Sequence, residues 1–203
     1  MAMNFKVFED KSTAANYVAD LFRKQMNNNP TSIIATALGN EADAVLAELS
    51  ADVAKTPVNM SQIHIFDYDK KQAEYLNIGI VESQYHKGGK GSIMSLIDEE
   101  AKTKENKGKL TILFASVTSS GAVGYKELDQ DDDKGLRAAR EVVLILTGRE
   151  KADIVRNLYK TAAGGRFEAA NLKTHRMVNV IMDKEAAQGL PEDVREYFYQ
   201  MYS

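Results

Sequence analysis

Two apolar stretches decide the fold of this chain: Leu110-Thr111-Ile112-Leu113-Phe114-Ala115-Ser116 and Glu141-Val142-Val143-Leu144-Ile145-Leu146-Thr147. Each is apolar on both of the faces that a β-strand presents, which is typical of parallel strands covered by helices on either side. A helical pattern over residues 149–160 follows the second stretch, as a crossover connection requires. The two stretches therefore predict neighbouring parts of a parallel sheet.

The same alternation of strand and helix extends outward in both directions. Further strands are predicted at residues 5–8, 32–38, 62–66 and 177–182, with a weaker one at 78–81. Helices are predicted from a Ser12-Thr13 cap to Met26, after Gly39-Asn40, over residues 71–76, from Ser92 onward and over residues 192–202. This order predicts an α/β fold, a three-layer Rossmann-like and mostly parallel sheet with helices on both faces, and a single domain over residues 1–203.

Composition excludes several classes of function. The chain has no cysteine, which rules out disulfides, thiolate metal ligands and a cysteine nucleophile. A net charge of −3 with interspersed signs gives no mark of a nucleic-acid surface, and no apolar run approaches the ~20 residues that span a membrane. We expect a cytoplasmic protein. The histidines at 64, 86 and 175 lack ligand spacing and Asp131-Asp132-Asp133 reads as a solvated turn, so neither a metal nor a cofactor is expected.

Four loops follow predicted strands and would meet at the carboxyl edge of the sheet, where such folds bind ligands. After Leu38, Gly39-Asn40-Glu41 opens a helix; its amides could bind an anion, or Asn40 could simply cap the helix. After Phe66, Asp67-Tyr68-Asp69 offers a general base, or Asp69 could cap the next helix.

The other two loops also carry an alternative each. Residues 117–124, with Ser120 and Gly121, form a small hydroxyl-rich segment that could line a sugar or phosphate pocket or be a surface loop. After Thr147, Lys151 on the first helical turn could reach a phosphate or be a solvated lysine.

In this order, the loops resemble those of the glucosamine-6-phosphate deaminase and 6-phosphogluconolactonase family. Residues 135–148 followed by Lys151-Ala152 resemble the family's strand, Thr-Gly turn and phosphate-binding lysine. Residues 169–175, which end at His175, are similar to its Ser-x-Leu-x-x-His segment. Residues 37–41 take the place of its Ala-Thr-Gly-Ser-Thr phosphate loop, and residues 66–69 that of its Phe-Asn-x-Asp, whose final Asp is the base.

The resemblance implies an isomerase or deaminase acting on an amino-sugar phosphate. Asp69 would shuttle a proton between C2 and C1 of the opened sugar, while Gly39, Asn40 and Lys151 would hold the phosphate. Ser120, Gly121 and His175 would line the pocket. With Gly121 aligned to the family's Asp-Gly-His motif, Glu127 falls on the Glu that helps to open the ring.

The sequence also departs from the family at three positions. Ser120 and Ala122 stand where the Asp and His of Asp-Gly-His would be, and Glu41 replaces a hydroxyl residue in the phosphate loop. A carboxylate within ~4 Å of a phosphate is repelled by about 1 kcal/mol per charge pair in water.

Three hypotheses of function follow from the sequence. The first is a sugar-phosphate isomerase or deaminase with a reduced site, and the second a catalytically inactive member that binds a sugar phosphate or regulates a partner. The third hypothesis, a lactonase, is less favoured, because lactonase chemistry depends on a histidine at the position that Ala122 takes in this chain. Self-association as a homo-oligomer is left open.

Overall fold

The computed structural model describes residues 3–89, 91–104, 110–126, 128 and 130–201. Its strands are β1 (Met3–Phe8), β2 (Ile33–Ala37), β3 (His64–Asp67), β4 (Tyr85–Lys87), β5 (Ile112–Ala115), β6 (Glu141–Leu146) and β7 (Val178–Asp183). Its helices are α1 (Lys11–Asn28), α2 (Ala42–Lys55), α3 (Gln72–Asn77), α4 (Ser92–Lys104), α5 (Gln130–Arg137), α6 (Ala152–Lys160) and α7 (Glu192–Gln200). Short 3₁₀ turns, among them Gly39–Glu41 and Arg149–Lys151, complete these elements.

The seven strands form one sheet in the order β1-β7-β6-β5-β2-β3-β4, and every pair of neighbours is parallel. The predicted α/β fold with a mostly parallel sheet is confirmed. From β2 the chain proceeds outward to β3 and β4, then returns to β5 on the other side of β2 and proceeds to β6 and β7. The switch in direction therefore lies between β2 and β5, where folds of this kind open a crevice.

Helices cover both faces of the sheet, and each face has its own core. One core packs the inner sides of α1, α2 and α3 against residues such as Ile34, Phe114 and Ile145. The other packs α4, α5 and α6 against Ala35, Leu113 and the neighbouring strands. Strands β2 and β5 are buried at every position, which is why their sequences read as continuous apolar runs.

The structure corrects several local predictions. Residues 78–81 are not a strand; the edge strand is β4, three residues long and too short to give a periodic signal. The cap of α1 is Asp10, whose carboxylate accepts from the Thr13 amide at 2.8 Å, rather than Ser12-Thr13. The acidic run Asp131-Asp132-Asp133 is helical rather than a solvated turn. It lies at the start of α5, where the helix dipole stabilises carboxylates.

None of the helices within the described ranges is long and apolar enough to cross a membrane.

Candidate active site

The four predicted loops meet at the carboxyl edge of the sheet, around the switch point between β2 and β5, which is called the crevice below. The loop after β2 begins at Leu38, that after β3 carries Asp69, and the segment after β5 runs from Ser116 to Tyr125. Hydrogen bonds join them, since Leu38 and Gly39 contact Asp69, and Tyr125 contacts Asp69 as well. The loop after β6 takes part through Lys151, whose amine donates to the Val117 carbonyl. The sequence placed these loops at one edge, and the structure brings them into contact.

Asp69 lies at the centre of this arrangement. Its Oδ2 accepts from the Leu38 amide at 2.9 Å, and its Oδ1 accepts from the Gly39 amide at 2.9 Å and from the Tyr125 hydroxyl. Burial raises the pKa of Asp69 above its ordinary value, although these three donors act in the opposite direction. The alternative that Asp69 caps α3 is wrong, because the residue at that cap is Lys71 and no side chain caps the helix.

Asp67 fixes the turn that presents Asp69. Its buried carboxylate accepts from the amides of Asp69 at 2.8 Å and Lys71 at 2.5 Å, and from the hydroxyls of Thr36 at 3.1 Å and Tyr85 at 2.7 Å. Between the two amides, Lys70 has a φ of 60°, a left-handed conformation that costs a non-glycine residue about 1–3 kcal/mol. Strain of this kind is retained where surrounding bonds over-determine the backbone, which is typical of functional turns.

Glu41 does not face open solvent. Its side chain is 2% exposed, and its carboxylate accepts from the Thr147 amide at 3.0 Å and from the Thr147 hydroxyl at 2.7 Å. The Lys11 amine lies 3.7 Å away. The carboxylate therefore ties the start of α2 to the end of β6, across the carboxyl edge of the sheet.

Lys151 extends toward the segment after β5. Its amine donates to the Val117 carbonyl at 3.1 Å and to the Ser116 hydroxyl at 3.3 Å. Burial lowers the pKa of Lys151, and the Glu41 carboxylate opposes that shift. The alternative of a fully solvated lysine is wrong, because this amine is half-buried at the crevice.

Ser120 and Gly121 lie in a closed turn beside the crevice. The Gly121 amide donates to the Thr118 carbonyl at 2.9 Å, and the Ser120 hydroxyl lies 2.9 Å from that of Thr118. Gly121 has a φ of +90°, and a Cβ there would lie 2.8 Å from the Phe167 ring. The turn could present hydroxyls to a ligand, but it holds no side chain that could act as the missing acid or base.

The remaining predicted residues divide into three cases. Asn40 is exposed, and neither it nor another side chain caps α2. Glu127 lies outside the described residues. His175 belongs to the opposite edge: it precedes β7, its Nε2 lies 2.6 Å from the Ala139 carbonyl oxygen, and its Nδ1 accepts from the Met177 amide at 3.0 Å. Its assignment to the pocket is therefore corrected, because a residue at the amino end of a parallel strand lies a strand's length from the carboxyl edge.

Carboxylates of the protein occupy several backbone amides at this edge, and one of them is the amide of Gly39, a residue that the resemblance assigns to the phosphate. Asp69 takes those of Leu38 and Gly39, Glu41 takes that of Thr147, and Asp183 takes that of Gly148 at 3.0 Å. Of the predicted phosphate ligands, Asn40 is exposed, and the Lys151 amine donates to a hydroxyl and a carbonyl oxygen. Among the described residues, no group of three or more His, Cys, Asp or Glu side chains could hold a metal ion.

Sequence reasoning missed two tyrosines of this network. Tyr85 lies on the short edge strand and donates to Asp67, and Tyr125 lies in the segment after β5 and donates to Asp69. Only the placement of Tyr125 between Gly124 and the charged Lys126, at the end of a predicted ligand loop, could have indicated its role.

Comparisons with known proteins bear on the fold and on the family resemblance. No protein-family model matches the chain. A glucosamine-6-phosphate deaminase of Cellvibrio japonicus is 21% identical over 252 aligned residues, which cover 96% of this chain and 94% of that protein. A solved structure of a monomeric glucosamine-6-phosphate deaminase matches with a TM-score of 0.71 and 14% identity, over 92% of this chain and 100% of that one.

A 6-phosphogluconolactonase from Trypanosoma brucei matches with a TM-score of 0.61 and 13% identity, over 93% of this chain and 98% of that one. At these identities the solved structures establish a shared fold. Together with the relative from Cellvibrio japonicus, they confirm that the chain resembles the sugar-phosphate deaminase and lactonase family, as its loop sequences indicated.

Proposed function

We propose that the crevice between β2 and β5 binds an amino-sugar 6-phosphate and that Asp69 is the base for aldose–ketose proton transfer on it. The observation that carries this proposal is the state of the Asp69 carboxylate, which is held by three donors in a partly buried position. Burial raises its pKa toward the range in which a carboxylate is an effective base. The deaminase from Cellvibrio japonicus, similar along almost the whole chain, supports the choice of substrate class.

The proton transfer would use one particular oxygen of this carboxylate. A carboxylate has about four lone-pair positions, two on each oxygen. Oδ1 already accepts two hydrogen bonds, whereas Oδ2 accepts one, from the Leu38 amide. Oδ2 would therefore take the proton from C2 of the opened sugar and return it to C1 through an enolamine.

Lys151 is the proposed partner of the phosphate. Its amine is half-buried at the crevice, and its present acceptors are a hydroxyl and a carbonyl oxygen, which a phosphate oxygen can replace. Gly39 would contribute the shape of the turn, with a φ of +58°, rather than its amide, which Asp69 uses. Exposed Asn40 remains available as a donor, and Glu127 remains the candidate for ring opening.

A second candidate is a catalytically inactive sugar-phosphate-binding or regulatory protein. The departures at Ser120 and Ala122 favour it, because losing a general acid or base typically removes about 10²–10⁴ in rate. An enzyme with this site would act best on a sugar that is already in its open-chain form.

Calorimetric titration with glucosamine 6-phosphate, followed by assays of turnover on it, tests both candidates. Inorganic phosphate and unphosphorylated glucosamine are the ligand controls, and the enzyme predicts saturable binding that needs both groups. Asp69→Asn should abolish turnover without loss of the fold. Asp52→Asn is the matched control, because Asp52 lies near the other end of α2, in the turn before Lys55. Binding without turnover would favour the second candidate, and turnover that survives Asp69→Asn would exclude Asp69 as the base.

A further inference from the structure

We infer that Tyr125 is the positioning residue of the Asp69 base: its phenol holds Oδ1 and leaves Oδ2 directed to the crevice. This inference rests on the proposed function, but it concerns a residue for which the resemblance implied no role.

The contact joins two separate loops of the crevice. Tyr125 is 56 residues from Asp69 in sequence, and its partly buried hydroxyl donates to Oδ1. Burial and the neighbouring carboxylate raise the pKa of Tyr125 well above its usual value, so the phenol stays protonated and acts as the donor. The hydrogen bond therefore favours the ionised form of Asp69, which is the form a base needs.

The backbone around Tyr125 is shaped for this contact. The Gly124 amide donates to the Ser116 carbonyl at 2.8 Å, and a bridge between Val117 and Val123 closes the segment. Gly124 has a φ of +77°, and a Cβ there would lie 2.7 Å from the Cβ of Ala37. Only glycine allows the segment to pack so closely on the end of β2, and this brings the next residue over Asp69.

The phenol differs from the other two donors to Asp69. The amides of Leu38 and Gly39 belong to the backbone and are fixed by the turn after β2, whereas the Tyr125 hydroxyl can be removed by one substitution. Two donors on Oδ1 and one on Oδ2 make the two oxygens unequal. Without the phenol, the carboxylate would lose both this asymmetry and part of the stabilisation of its charge.

Tyr125→Phe keeps the ring and removes the hydroxyl. We expect the acid limb of the kcat profile to move to higher pH, because a donor to the ionised carboxylate is lost. At neutral pH, kcat should fall less than it would on loss of the base, which costs about 10²–10⁴-fold. The same direction of shift is expected for Asp69 itself, followed without substrate by NMR of ¹³C-labelled aspartate and assigned with Asp69→Asn.

Tyr199→Phe is the matched control, because Tyr199 donates to the Glu9 carboxylate at 2.6 Å far from the crevice. It should leave both the kcat profile and the Asp69 signal unchanged. If Tyr125→Phe fails to fold, fluorotyrosine at position 125 keeps the shape and is a stronger donor, and should shift the Asp69 titration to lower pH. An Asp69 titration that does not respond to either change overturns the inference. Absence of turnover by the wild type would overturn only the proposed function, since the NMR titration needs no substrate.

Discussion

At the scale of single residues, the site is defined by carboxylates that occupy backbone amides. Asp69, Glu41 and Asp183 each accept from amides at the ends of β2 or β6. Hydrogen bonds to a charged acceptor are worth about 1.5–3 kcal/mol each, so these contacts hold the crevice in one arrangement before any ligand arrives. They also add negative charge where a phosphate would bind.

Glu41→Gln should raise the affinity for a sugar phosphate. The change removes one negative charge near the proposed phosphate position. At ~4 Å that charge is worth about 1 kcal/mol in water and more around a buried carboxylate, so Kd should fall roughly fivefold or more. Calorimetry with glucosamine 6-phosphate measures it. Glu48→Gln, which removes the same charge two turns further along α2, should leave Kd unchanged. An equal gain from both variants would show that only the net charge matters.

The activity should depend on pH through Asp69. The base works only when ionised, and burial raises its pKa in the folded protein, so activity falls as the pH drops through that raised value. The acid limb of kcat should therefore lie above 3.8, the ordinary value for an aspartate. Assays of turnover across pH measure this acid limb. A kcat that stays constant down to pH 4 would contradict a pKa of Asp69 raised by burial.

At the scale of elements, residues 116–125 decide whether the crevice is complete. Tyr125, the last residue of this segment, lies next to Asp69 because Gly124 packs closely against Ala37. The long strands were predicted because apolar runs on two faces are a strong local signal. Strand β4 was not, because three residues carry no period, and its inward Tyr85 is recognised only by its bond to Asp67.

Gly124→Ala should destabilise the protein by about 2–5 kcal/mol. The left-handed backbone contributes about 1–2 kcal/mol and the overlap with Ala37 a further 1–3 kcal/mol. Urea unfolding measures the free energy. Gly164→Ala is the matched control: its φ is +86° and no atom lies within 4 Å of the added Cβ, so it should show the backbone cost alone. Equal losses would mean that the approach to Ala37 relaxes freely.

At the scale of the whole molecule, the sheet order places the crevice. Strands β2 and β5 are adjacent although 74 residues lie between Ala37 and Ile112, and helices cover both faces of the sheet around them. The central strand β5 contributes to both cores, through Leu113 on one face and Phe114 on the other. Phe114 stacks on Phe22 of α1, with ring centroids 4.5 Å apart.

Phe114→Ala should cost about 3–5 kcal/mol of the free energy of unfolding, because it leaves a cavity between the central strand and α1. Tyr197→Ala, at a ring that is 59% exposed, should cost less than about 0.5 kcal/mol. Chemical denaturation of both variants measures the difference. A small loss for Phe114→Ala would contradict its position in the core.

The single domain and the cytoplasmic location were predicted from the sequence, and both stay predictions, while self-association stays open. The fold class, the long buried strands and the four loops at the carboxyl edge were determined by the sequence, because apolar periodicity and strand–loop–helix order are local properties of the chain. The local pattern also marked Asp69 and Lys151 as candidates, since Asp69 lies in the loop after β3 and Lys151 in the helical turn after β6.

Only the tertiary structure decided what those residues contact. The bond between Glu41 and Thr147 spans 106 residues, and that between Tyr125 and Asp69 spans 56. The histidines at 64 and 86 looked scattered, yet Nδ1 of the first lies 2.9 Å from Nε2 of the second. Such contacts depend on the register and order of strands far apart in sequence, and no local pattern of residues encodes these.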